Sequence, residues 1–205
     1  MEIKICGITK EYEIDKLIEE KIEYAGFVLY YPKSKRNNTI ERAQQLLNYL
    51  KSKKEFRIKA VAVVVSPNLE EIEEIEKVGF DIIQIHDIID NALLEKIKIP
   101  IFRAVNIKSD TKLSLAQHKN ITGIVLDAAV PGMGKAFDWN KYLDFDAAGK
   151  KFILAGGLNK NNVREGIEKL HPDIVDCSSG VEYDNKALSG KDIKKIEEFV
   201  REVRR

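Results

Sequence analysis

Short runs dense in valine and isoleucine alternate along the chain with stretches whose apolar residues recur at helical spacing. The runs predict strands over 3–8, 25–30, 58–65, 81–86, 101–107, 122–128, 151–157 and 173–179. The stretches between them predict helices over 11–22, 40–52, 69–79, 91–97, 112–118, 140–148 and 159–170, with a last one over 192–203. Ser66-Pro67-Asn68 can cap the third helix, and Asn159 and Asn162 fall where a cap would precede the seventh. When every return crosses over on a helix, neighbouring strands pair parallel. An open doubly wound sheet and a closed (β/α)8 barrel both meet that condition. Eight strands, and no GxGxxG after the first, favour the barrel. The expected fold is α/β: a single TIM barrel over residues 1–205, eight parallel strands with outer helices.

Side chains on a strand alternate between two faces, so a polar residue in an apolar strand marks what that face meets. Lys4 and Cys6 share a face, as do Gln84 and His86. Arg103 is in phase with Ile101 and Val105; Asp127 ends its run and Asp176 nearly ends the last one. If these faces all point inward, the mouth of the barrel collects a thiol, two carboxylates, an imidazole, an amide and two cations. Buried charges need partners, so Lys4, Asp176 and Arg103 are expected to pair. Cys177 is out of phase with Asp176 and should pack under the helices.

Composition narrows the class. A chain of 205 residues, 44% hydrophobic and 33% charged, can bury a substantial core. A net charge of +1 draws the protein neither to nucleic acid nor to an anionic membrane. The basic runs at 51–54 and 201–205 read as solvated helix ends. No early stretch has the apolar centre of a signal peptide and no window approaches the length of a membrane span, so a cytoplasmic protein is expected. Two cysteines in a reducing compartment argue against a structural disulfide. Three dispersed histidines and no CxxC, HxH or HExxH spacing give no metal site. Trp139 reads as a packing residue. Oligomeric state has no signature in the sequence.

Two glycine-bearing turns follow the last two predicted strands, LAGGLN at 154–159 and CSSGVE at 177–182. In barrels these two loops commonly form a phosphate cradle, because glycines let backbone N–H groups approach an anion and a helix N-terminus favours negative charge. The pair points to a small phosphorylated substrate.

KICGIT (4–9), YYPKSKR (30–36), LDAAVPGMGKAFDW (126–139), LAGGLN (154–159) and VDCSSGVE (175–182) together resemble the signature segments of the phosphoribosylanthranilate isomerases, in order and over nearly the whole chain. The resemblance implies an Amadori rearrangement in tryptophan biosynthesis that uses no metal or organic cofactor. It implies that Cys6 is the general base, Asp127 the general acid and Arg36 the grip on the anthranilate carboxylate. It places phosphate on the backbone of Gly156, Gly157, Ser178, Ser179 and Gly180. Asp176 either orients the substrate amine or pairs with Lys4. The sequence departs from the family's pattern at 131–135, where Pro-Gly-Met-Gly-Lys stands for Gly-Gly-Thr-Gly-Lys, at Arg103 for a lysine, and at Asp87 for a glycine. The histidine-pathway aminoaldose isomerases run the same rearrangement but place aspartate where Cys6 stands. A barrel that only binds a phosphorylated ligand would need neither Cys6 nor Asp127.

The rearrangement needs an acid to open the furanose ring and a base to take the proton from the neighbouring sugar carbon. A free thiol titrates near ~8.5 and a free aspartic acid near ~3.9, so each is expected to shift toward neutrality, the thiol through Lys4 and Arg103.

Overall fold

The computed structural model describes residues 1–53, 57–106, 118–127, 138–185 and 187–205, and the backbone alone of Asn106. The predicted helix at 112–118 lies mostly outside the described residues, and the loop at 131–135 wholly outside them. Nine strands are described: β1 (Glu2–Cys6), β2 (Tyr24–Leu29), β3 (Asn37–Asn38), β4 (Lys59–Val65), β5 (Ile82–His86), β6 (Ile101–Asn106), β7 (Ile121–Asp127), β8 (Lys151–Leu154) and β9 (Ile174–Cys177). The helices are α1 (Glu11–Glu19), α2 (Ile40–Ser52), α3 (Leu69–Val78), α4 (Asn91–Lys96), α5 (Val163–Leu170) and α6 (Ile193–Arg204).

All strand pairings are parallel, and they run β1-β9-β8-β7-β6-β5-β4-β2, with β2 returning to β1. The sheet therefore closes into an eight-stranded barrel with its helices outside. The ninth strand, β3, is an addition. It pairs with Val28 and Leu29 of β2, beyond the point where β1 stops at Gly26.

Closure gives two apolar regions. The larger lies between barrel and helices and contains Ile3 and Ile5 of β1 and Leu46 and Leu47 of α2. The smaller fills the barrel and contains Cys6, Tyr24, Val61, Val63, Ile82, Phe102, Ala104, Val125 and Ile153. Tyr24 and Phe102 meet there with ring centroids 5.8 Å apart. The N-terminal end of the barrel is closed by polar groups: Lys151 pairs with Glu2, and the Tyr24 hydroxyl donates to Glu2 at 3.1 Å.

Local chemistry sets the helix ends. Asn68 accepts from the Glu71 amide at 2.9 Å while Glu71 accepts from the Asn68 amide at 3.0 Å, a reciprocal cap on α3. Gly79 ends that helix in the left-handed region at φ 90°. The predicted helix at 140–148 does not form. A single 3-10 turn at Trp139–Tyr142 is followed by turns, because Asp146 accepts the Ala148 amide at 2.8 Å and Ala148 and Gly149 both take positive φ. Trp139 is buried in the outer core, as expected of a packing residue.

Arg103 overturns one expectation. The barrel interior takes Phe102 and Ala104, so Arg103 points out of it, on the side of Ile101. Buried there, it donates to the carbonyls of Ile85 and Ala104 at 2.8 Å each and to that of Asp87. It fastens the end of β5 and does not act on the thiol. Arg103→Leu should lower stability by roughly 1–3 kcal/mol, the range for stranding buried hydrogen-bonding groups, as read from urea unfolding. A normal midpoint with an altered Cys6 titration would contradict the outward placement.

Candidate active site

The C-terminal ends of the strands bring most of the expected residues together. Lys4 and Asp176 lie opposite each other in the register of β1 and β9, and the ammonium reaches the Asp176 carboxylate at 2.6 Å. Lys4 has 0% exposure. Burial alone would lower its pKa, but Asp176 and the neighbouring Cys6 hold it above its usual value. Of the two roles expected for Asp176, pairing is the one the geometry displays. Its other oxygen, Oδ1, is buried without a hydrogen-bond partner.

Cys6 sits one layer above, at the end of β1, facing the interior with 8% exposure. Burial pushes its thiol above the ordinary value. Lys4, Lys191 and Arg36 pull it down but do not offset the burial, and Asp176 adds to the rise. The shift runs away from neutrality, against expectation, and Arg103 has no part in it. Cys177 faces the helices, donates to the Leu158 carbonyl at 3.1 Å, and is pushed up to about 12 by burial. Asp127 closes β7 two residues beyond Val125, on the same inner face, half-buried. On β5, Gln84 and His86 touch at 2.8 Å through their Nε2 atoms. Burial, with Lys4 and Arg103 nearby, lowers the imidazole to about 4, so it is neutral at pH 7.

The two glycine turns lie side by side. Gly156 and Gly157 take φ of 83° and 71°, a backbone that side chains disfavour. Asn159 and Asn162 direct their amide groups to the Gly157 carbonyl at 3.2 and 3.0 Å. Asn162 holds the N-cap position of α5, yet its Oδ1 accepts from Asn159, so it shapes the turn and does not cap the helix. A Cβ on Gly180 would lie 2.0 Å from the Leu158 carbonyl oxygen, so only glycine lets the β9 turn press against the β8 turn. Ser178 gives its hydroxyl to the Cys6 carbonyl at 2.9 Å, tying this turn to the end of β1. Ser179 and Gly180 form the 3-10 turn that follows.

Arg36 comes from the loop after β2 and is 17% exposed. Its stem lies over Gly7, where a Cβ would meet Arg36 Cδ at 2.5 Å. Its Nε donates to Glu182 at 2.5 Å. Glu182 also receives Lys35 at 2.8 Å and the fully buried Lys191 at 3.3 Å. Burial would raise the Glu182 carboxyl, but these cations bring it down to about 2. Sequence reasoning gave roles to neither Glu182 nor Lys191. The one signal was the glutamate inside CSSGVE, and a lysine 9 positions later has no spacing signature. The acidic group Glu19, Glu20 and Glu197 is placed as a cation site would be, but Lys16 already reaches all three, at 2.5–3.1 Å.

Fold and site together define a (β/α)8-barrel enzyme with its reactive groups at the carboxyl ends of the strands. The family model for N-(5'-phosphoribosyl)anthranilate (PRA) isomerase matches residues 3–202. The N-(5'-phosphoribosyl)anthranilate isomerase of Streptococcus mutans serotype c is 37% identical over 204 residues, covering 99% of this chain and 98% of that one. That of Streptococcus gordonii is 36% identical over 203 residues, covering 98% and 97%. The crystal structure of phosphoribosyl anthranilate isomerase from Thermotoga maritima superposes with a TM-score of 0.84 at 30% identity, covering 100% of this chain and 98% of that one. A phosphoribosyl anthranilate isomerase in complex with reduced 1-(o-carboxyphenylamino)-1-deoxyribulose 5-phosphate gives 0.80 at 29%, with the same coverage. The chain belongs to the N-(5'-phosphoribosyl)anthranilate isomerase family, aldose–ketose isomerases of tryptophan biosynthesis. Among the described residues no helix is long and apolar enough to cross a membrane.

Glu182 gives the site a signed pH dependence. A carboxyl depressed to about 2 from 4.5 contributes stability that is complete above 4.5 and is lost as pH falls through 2. Acid unfolding of Glu182→Gln should therefore be flatter than wild type across that interval, and an unchanged profile would remove Glu182 from the charge network. The raised thiol makes a second prediction: iodoacetamide alkylation of Cys6 should still accelerate above pH 9 in the empty enzyme. A plateau reached below pH 8 would contradict the placement.

Proposed function

We propose that this chain converts N-(5-phosphoribosyl)anthranilate to 1-(2-carboxyphenylamino)-1-deoxyribulose 5-phosphate, with Cys6 as general base and Asp127 as general acid. The observation that carries the reading is a thiol on the inner face of β1, next to the buried Lys4–Asp176 pair and bonded through its own carbonyl to the β9 turn. The family match over residues 3–202 supports the substrate.

In this reading the protonated Asp127 carboxyl gives its proton to the furanose ring oxygen, and the C1'–O bond breaks to leave a protonated imine. As that cation forms, the Cys6 thiol gives its proton to solvent; the thiolate then removes the proton on C2', and the C–H electron pair moves toward the cationic nitrogen to give an enolamine. Ketonisation transfers a proton from the C2' hydroxyl to C1'. The proton taken from C2' restores the thiol, and the carboxylate recovers from solvent the proton the thiol released, so the net change is isomerisation alone.

The raised thiol fits this order of events. Burial disfavours the thiolate, whereas the iminium ion formed by ring opening places a positive charge beside the sulfur when a base is needed. Lys4 contributes in the same direction throughout. The backbone of Gly156, Gly157, Ser178, Ser179 and Gly180 takes the phosphate in this reading, since the two glycine turns abut at Gly180 beyond the carboxyl ends of β8 and β9. Ser178 offers backbone only, its hydroxyl being committed to Cys6. Arg36 holds the anthranilate carboxylate with its guanidinium fork.

Cys6→Ser and Asp127→Asn should each lower kcat by roughly 10²–10⁴-fold, with the far-UV spectrum and unfolding midpoint retained. The assay is the loss of phosphoribosylanthranilate fluorescence. Near-normal turnover in both variants would end the acid–base assignment and leave a barrel that only binds. Arg36→Ala should act mainly on KM, raising it about 10-fold or more, as loss of a charge-assisted contact does.

A further inference from the structure

Glu182 is approached by cations from two distant parts of the chain. Lys35 and Arg36 come from the loop after β2, and Lys191 from the segment before α6. An arginine and a carboxylate usually meet as a two-pronged pair. Here they do not. Lys35 takes Oε2, and Lys191 shares Oε1 with Arg36, so Arg36 is held through Nε alone. Among the described residues neither Nη nitrogen of Arg36 has a hydrogen-bond partner. Glu182 is itself fixed. Lys191 has 0% exposure and donates to the Ser178 carbonyl at 3.1 Å, and its own amide is received by Glu13 at 2.6 Å. Lys195 donates to the Glu182 carbonyl at 2.9 Å.

We propose that Glu182 is a positioning residue for Arg36: it grips the Nε edge of the guanidinium, leaves the Nη edge to fork the substrate carboxylate, and sets the span between that fork and the phosphate turns. The span follows from chain position, because Glu182 stands two residues beyond Gly180 and Lys191 binds it to the carbonyl of Ser178. The cluster holds three cations against one carboxylate, a surplus of two positive charges facing a substrate that is anionic at both ends. The bridge thus selects phosphorylated sugars that carry a carboxylate at that distance. It rests on the reading of Arg36 above.

Two unreactive ligands separate the possibilities: the reduced carboxyphenylamino-deoxyribulose phosphate, and its counterpart with phenyl in place of carboxyphenyl. Titration calorimetry with wild type, Arg36→Ala, Glu182→Gln and the double variant is the test. Glu182→Gln should weaken the carboxylated ligand about 10-fold and change the other by no more than about 2-fold, and the double variant should bind no more weakly than Arg36→Ala alone. Glu182→Asp, which keeps the charge and shortens the arm, serves with the same expected selectivity if the Gln variant does not accumulate. Equal weakening of both ligands by the Glu182 variants would assign Glu182 to the phosphate turns and overturn the proposal. So would additive losses in the double variant, or a selective loss in Arg36→Ala with none in the Glu182 variants; in that last case the carboxylate role of Arg36 stands. If Arg36→Ala is itself unselective, the carboxylate reading fails first.

Discussion

The first and last strands of the barrel meet along one seam, and a buried ammonium lies across it. Lys4 and Asp176 are register partners of β1 and β9, 2.6 Å apart and shut off from solvent. Neither charge could remain buried alone, so the seam can close only in the register that joins them. That register also sets the height of Cys6, two residues on, and of Ser178, whose hydroxyl binds the Cys6 carbonyl. The thiol, the β9 turn and the closure of the sheet are thus one arrangement.

Around this seam the mouth is built from loops tied to one another and not only to their own strands. Glu13 receives the amides of Thr9, Lys10 and Lys191, joining the loop after β1 to the lead-in of α6. Arg36 crosses Gly7 to reach Glu182. Charged groups carried by separate loops therefore keep fixed separations at the mouth of the barrel.

Most of the barrel was legible because parallel strands covered on both faces are written as valine and isoleucine runs, and all eight of those runs became barrel strands. Inner faces were readable wherever a strand held two polar residues in phase, as at Lys4 and Cys6. The phase of Arg103 has no second polar marker on its strand to fix which face is inner, and Phe102 and Ala104, its neighbours, fill the interior. The stretch 140–148 carried helical spacing but ends in Ala148 and Gly149 at positive φ, and Phe145 is anchored on Phe152 at 4.8 Å instead. The strand β3 left no hydrophobic pattern, being two asparagines. Cys6, Asp127 and the glycine turns could be singled out because motif and strand end coincide. Glu182 and Lys191 could not, because their meaning lies in a contact with Arg36, 146 residues away from Glu182.

The seam has a consequence for synthesis. Lys4 leaves the ribosome 172 residues ahead of Asp176. At about 5–20 residues per second, the nascent chain spends on the order of ten seconds with an unmatched β1 edge and an ammonium that must stay in water. Until β9 emerges there is no lumen, and the lead-in to α6 that braces the mouth arrives later still. The interval in which such a chain exposes an unpaired edge therefore ends with the emergence of β9.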